Sequence, residues 1–133
     1  MDVINFRIGE SDYQLIPHTG FEALNLDRKV LGLIGRMAQY GMDFSDEMNA
    51  FATLASTISD MSDSDFRWLV ETTLSTVTVV NRGKKSVRLA NCDCISEQFA
   101  ANRNELYAVL LKVWKLEKLS PFAKAPETEL TGT

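Results

Sequence analysis

The chain has a single histidine, two cysteines and three prolines among 133 residues. Each scarcity removes a class of chemistry. His18 has no second imidazole with which to share a metal, and no G-x-S-x-G elbow supplies a serine for it to activate. It is expected as a surface or loop residue. Cys92 and Cys94 offer two of the four ligands that a structural zinc ion needs, and an i,i+2 disulfide between them would be strained. Reduced thiols in a reducing compartment are the simpler account. No apolar run approaches about 18 residues, so no membrane span is expected. Met1-Asp2-Val3-Ile4-Asn5 lacks the basic stretch of a secretory signal. The seven glycines are scattered, and neither phosphate-cradling pattern, G-x-x-x-x-G-K-S/T or G-x-G-x-x-G, occurs.

Positive charge is short as well. The formal net charge is −4 and the isoelectric point is near 5.0, whereas nucleic-acid binding draws its affinity from clustered Lys and Arg. The nearest cluster, Arg82-Gly83-Lys84-Lys85, reads as a solvated hairpin tip, so no nucleic-acid partner is expected. The carboxylates Asp43, Asp46, Glu47, Asp60, Asp63 and Asp65 concentrate at expected helix starts, where they complement the N-terminal dipole. Asp60-Met61-Ser62-Asp63-Ser64-Asp65 lacks the central Gly and terminal Glu of an EF-hand loop. These absences leave no catalytic residue, metal site or cofactor to assign, and the chain is expected not to be an enzyme.

What is present is an ordinary core. Hydrophobic residues make up 45% and charged residues 24% of the chain, enough to bury a core without staples. The expected class is α+β, mainly helical, with about four helices and two short antiparallel β-hairpins. One domain over 1–119 is followed by a flexible Ala/Pro/Glu/Thr-rich tail over 120–133.

Ile4, Phe6 and Ile8 alternate with polar neighbours, and Tyr13-Gln14-Leu15-Ile16 follows a four-residue loop, which pairs Ile8 with Tyr13 and Phe6 with Leu15. Thr19 or Gly20 opens a helix to about Tyr40, with Leu26, Val30, Leu33 and Met37 at helical spacing and Phe21, Leu24, Leu31 and Ile34 widening the stripe. Gly32 and Gly35 lie inside it and read as a site of close helix crossing, and Gly41 as its C-terminal stop. Ser45 caps a second helix with Met48, Phe51, Leu54, Ala55, Ile58 and Met61. Ser62 caps a third, with Phe66, Leu69, Val70, Thr73 and Leu74 inward. Thr76 to Val80 and Ser86 to Leu89 form a second hairpin that sets Val79 opposite Val87 and Val77 opposite Leu89. A last helix from about Ser96 to Leu119 carries an apolar arc near 200°, too wide for a surface helix; it is either central to the core or partly covered by a partner.

Two features point toward binding. Trp68 falls on the polar side of its helix, as an interface anchor or packed under a hairpin or the final helix. Met37, Met42, Met48 and Met61 cluster across the first two helices, for core filling or as an adaptable surface.

The order of elements carries a resemblance. The hairpin enters a helix through Pro17-His18-Thr19-Gly20-Phe21-Glu22-Ala23-Leu24, and the chain closes on Glu105-Leu106-Tyr107-Ala108-Val109-Leu110-Leu111-Lys112-Val113-Trp114, then Pro121-Phe122. Over residues 3–122 the chain resembles the tail assembly chaperones of long-tailed bacteriophages. That resemblance implies a non-catalytic protein that binds the helical tape measure protein, helps the tail tube protein polymerise around it, and acts in the cytoplasm of the infected host without remaining in the virion. It carries no catalytic residues. The partner-binding candidates are Trp68, Tyr107, Leu111, Trp114, Pro121 and Phe122, with self-association as a further possibility. A tail-completion subunit that stays in the particle and a small host-directed regulator are the alternative readings.

Overall fold

A computed structural model describes residues 3–39, 46–80 and 85–119. The first two strands are β1 (Ile4–Ile8) and β2 (Ser11–Leu15), followed by the helices α1 (Gly20–Gln39), α2 (Glu47–Ser59) and α3 (Asp63–Leu74). Strands β3 (Val77–Val80) and β4 (Val87–Arg88) come next, and α4 (Cys92–Phe99) and α5 (Asn104–Leu116) close the described chain. The class is α+β and mainly helical, as expected, with five helices among the described residues.

The two hairpins are not separate. They join edge to edge as one antiparallel sheet in the order β1-β2-β3-β4, with Tyr13 opposite Val79 and Leu15 opposite Val77. The first hairpin pairs Phe6 with Tyr13 and Ile8 with Ser11, two residues away from the expected register. Gly9, at φ +59, makes the difference. It takes a left-handed conformation without the penalty of a Cβ, so a two-residue turn suffices where a four-residue loop was expected. A slip of two preserves the face, which is why the inward set was still right. In the second hairpin Val79 faces Val87 as expected, and the Leu89 amide donates to the Val77 carbonyl at 2.9 Å. The tip at 81–84 lies outside the described residues.

Helix termini follow local chemistry. Ser62 caps α3 by accepting from the Asp65 amide at 3.2 Å. The Asp46 carboxylate caps α2 by accepting from the Met48 and Asn49 amides at 3.0 and 3.2 Å. The expected Ser45 cap and Gly41 stop lie outside the described residues.

The single helix expected over 96–119 is two helices. Asn91 starts α4 four residues early by accepting from the Cys94 amide, and the chain breaks after Phe99 before α5 begins at Asn104. Splitting the run lets Phe99 and Ile95 face inward from one helix while Val109, Leu110, Leu111, Val113 and Trp114 do so from the other. The wide arc of α5 is therefore buried within the fold: α5 packs against β1, α2, α3 and α4. Its Trp114 is fully buried, and the indole nitrogen donates to the Thr73 hydroxyl at 3.1 Å. On the sheet, Phe6 and Tyr13 stack at 5.2 Å, and the Tyr13 hydroxyl accepts from Gln98 on α4. Cys92 and Cys94 are free thiols in the first turn of α4.

Candidate functional site

His18 sits where surface exposure was expected, yet its side chain is fully buried. The Glu117 carboxylate accepts from the His18 backbone amide at 2.8 Å and from Nδ1 at 2.7 Å, and the Thr72 carbonyl lies 2.6 Å from Nε2. Both ring nitrogens face acceptors, so the arrangement fits an imidazolium donating at both positions. Burial alone pushes the His18 pKa down, but the Glu117 hydrogen bond and charge, the Thr72 carbonyl and the Glu22 charge outweigh it, and the net direction is upward. Sequence reasoning missed this clamp because its two halves are 99 residues apart.

The Ser75 hydroxyl lies 3.4 Å from Nε2, which superficially completes a Ser-His-Glu set. The wiring does not fit nucleophile activation. Ser75 donates to the Thr72 carbonyl at 2.8 Å, the same oxygen that receives Nε2–H, so Nε2 has no lone pair for the serine proton. The cluster ties the entry of α1 to the ends of α3 and α5.

The α1 surface presents a different feature. Its inward residues Leu26, Val30, Leu33, Ile34 and Met37 are buried. Phe21, Leu24 and Leu31, expected to widen that stripe, are instead exposed by 81, 66 and 47%. At 100° per residue they lie with Arg28, Gly32 and Gly35 on the side turned away from the core. The glycines do not mark a helix crossing within the fold, for a Cβ built on either would meet nothing within 4 Å. This face has the composition of a packed surface and no packing partner among the described residues.

Trp68 borders it. It is half-buried against the core, between the two alternatives considered for it, and packs toward α1 instead of under a hairpin or the last helix. The Lys29 amine lies 5.8 Å from the centroid of its ring. A groove of about 560 Å³ runs between α1 and α3, with Trp68, Leu33, Leu69 and Met61 along its floor and Arg28, Lys29 and Arg36 among its walls.

The other candidates scatter. Tyr107 is half-buried, edge-on to Phe51 at 6.0 Å, and lines a second groove of about 500 Å³ on the opposite side of α3, with Phe66, Ile95 and Phe99. Leu111 and Trp114 are core residues at 7 and 0% exposure. They pack the interior and present no surface in this fold, because α5 is central. Pro121 and Phe122 lie outside the described residues. Of the methionines, Met37 is buried in the core and Met48 is 82% exposed, so the expected cluster is divided; Met42 is outside the described residues.

The family model described as phage tail assembly chaperone protein, TAC, matches residues 9–127. The chain belongs to this family. No curated protein and no solved structure matches it. The match spans every described element from β2 to α5, and so includes the residues of the uncovered α1 face and of both grooves. Membership implies protein partners in tail assembly. No helix among the described residues is long and apolar enough to cross a membrane.

Proposed function

We propose that this chaperone binds the tape measure protein, keeps that long helical client soluble, and promotes polymerisation of the tail tube protein around it, without catalysis. It works in the cytoplasm of the infected bacterium and leaves before the virion is complete. The observation that carries the reading is the uncovered apolar face of α1. Phe21, Leu24 and Leu31 stand in water, an arrangement suited to recognition of a client that itself exposes apolar helical stripes. A protein keeps such a patch when a partner covers it.

Co-expression with the tape measure protein of the same phage tests the proposal. The tape measure protein is expected in the soluble fraction and in one complex with the chaperone, and mass spectrometry of purified virions is expected to find no chaperone peptides. An insoluble tape measure protein in the presence of the chaperone refutes client binding. Stoichiometric chaperone in virions identifies a structural tail subunit instead.

A further inference from the structure

We propose that the α1–α3 groove is a docking site for an acidic amphipathic helix, supplied by the client of the function proposed above, on which this inference rests for the identity of the partner. The charge of the groove sets the chemistry of the occupant. In a chain of net charge −4, the groove gathers Arg28, Lys29 and Arg36 against the single carboxylate Asp65. Arg28 is held by the neutral Asn25 side chain at 2.9 Å and Lys29 rests over Trp68. Among the described residues, no carboxylate forms an ion pair with any of the three cations. A partner that places carboxylates beside an apolar ridge satisfies these cations while covering Trp68, Leu33, Leu69 and Met61.

The backbone permits close approach. Helix axes pack about 8–10 Å apart, the lower end needing small residues at the crossing. Gly32 and Gly35 are exposed, with empty space where a Cβ would stand. The helix is 20 residues long, about 30 Å at the rise of an α-helix, enough for several turns of partner.

The same charges argue against a second copy as the occupant. A two-fold crossing at the glycines would bring the two cationic grooves of the protomers together, and like charge on both sides opposes association. A heterologous acidic helix meets no such cost.

The test uses the full chain and two synthetic amphipathic peptides of about 20 residues with one shared Leu/Ala face, one flanked by Glu and the other by Lys. Binding is followed by the emission of Trp68, since Trp114 is sealed in the core. The Glu peptide is expected to bind roughly tenfold or more tightly than the Lys peptide, and the double variant Arg28→Glu, Arg36→Glu to invert that order. Gly32→Gln with Gly35→Gln is expected to weaken the Glu peptide to a similar degree while leaving the thermal midpoint of the free protein no lower.

Equal affinity for both peptides, or no binding of either, overturns the proposal. So does a self-associated wild-type chain that the glycine variants render monomeric. Hydrogen exchange on the complex with the tape measure protein provides the second arm, with protection expected over α1 and α3. Protection confined to the α3–α4–α5 groove refutes the docking site and leaves the chaperone function standing. Binding of the Glu peptide with no complex formed by the tape measure protein does the reverse.

Discussion

Replacing Glu117 with Gln is expected to reverse the sign of the pH dependence of stability around neutrality. In the wild type the folded-state pKa of His18 is raised above an unfolded value near 6.5. The stabilisation it contributes is therefore fully present below about pH 6.5 and is lost as pH rises through the folded pKa. In Glu117→Gln the anion is gone. The amide oxygen can still accept from the His18 backbone N–H, its NH₂ group can donate to a neutral Nδ1, and Nε2–H still reaches the Thr72 carbonyl. All these groups remain paired, so the change costs about 1–2 kcal/mol, the scale of a hydrogen bond weakened but not orphaned. Burial, the leading influence on His18, is then opposed only by the Thr72 carbonyl and the Glu22 charge, the weakest of the influences on it, and is expected to push the pKa below the unfolded value. Stability is then fully present above about pH 6.5 and falls as the solution is acidified.

Glu117→Ala is the contrasting variant. It leaves a buried donor pair at the entry of α1 with no acceptor, and the loss of one partner from a buried pair costs about 3–5 kcal/mol. With an unfolding entropy near 2.1 cal/mol/K per residue, that corresponds to a fall of about 11–18 °C in the thermal midpoint. Urea unfolding between about pH 5.5 and 8.5 measures both effects. Cys92 and Tyr13, whose pKa values burial pushes up from 9.0 and 10.0, are common to both proteins, so their contribution cancels in the comparison of slopes. If wild type and Glu117→Gln show the same slope of stability against pH, the charged assignment of His18 is wrong.

Three further outcomes follow from packing. Trp114→Ala is expected to destabilise by about 3–5 kcal/mol through cavity formation and the orphaned Thr73 hydroxyl, whereas Trp68→Ala should cost about 1–2 kcal/mol, since Trp68 is only partly buried and lines the groove. Comparable losses in denaturant melts would remove the distinction between core and surface tryptophan. Gly9→Ala must hold a positive φ and brings a Cβ within 2.8 Å of Glu105 Oε2, so a loss of about 1–2 kcal/mol is expected; an unchanged midpoint would show that the turn relaxes. Gly32→Ala, by contrast, meets open space and should stabilise α1 by about 1 kcal/mol in the free protein, a gain that thermal melts would detect.

Much of this architecture was legible in the residue pattern. Period-2 and period-3.6 spacing marked the strands, the first three helices and the centres of their inward faces, though not the edges at Phe21, Leu24, Leu31 and Met48, and Ser62 marked a cap, because each of these rests on interactions spanning a few residues. The pairing of Val79 with Val87 was readable for the same reason. Trp68 could be singled out from its position on the helix, though not which neighbour it would meet. The break at residues 100–103 escaped detection because Phe99 and Leu106 stand seven residues apart, in phase for one helix, and periodicity alone does not distinguish one wide helix from two helices at an angle.

The sequence by itself determined the α+β class and carried, in the order of its elements, a resemblance to the chaperone family to which the chain belongs. Tertiary structure decided the rest: that two hairpins share one sheet, that Glu117 meets His18 across 99 residues, that Trp114 is core, and that Phe21, Leu24 and Leu31 remain uncovered. The division has a physical cause. Hydrophobic spacing states which arc of an element would gain by leaving water, but only the packing of all the elements determines which arcs are covered within the chain and which are left for a partner.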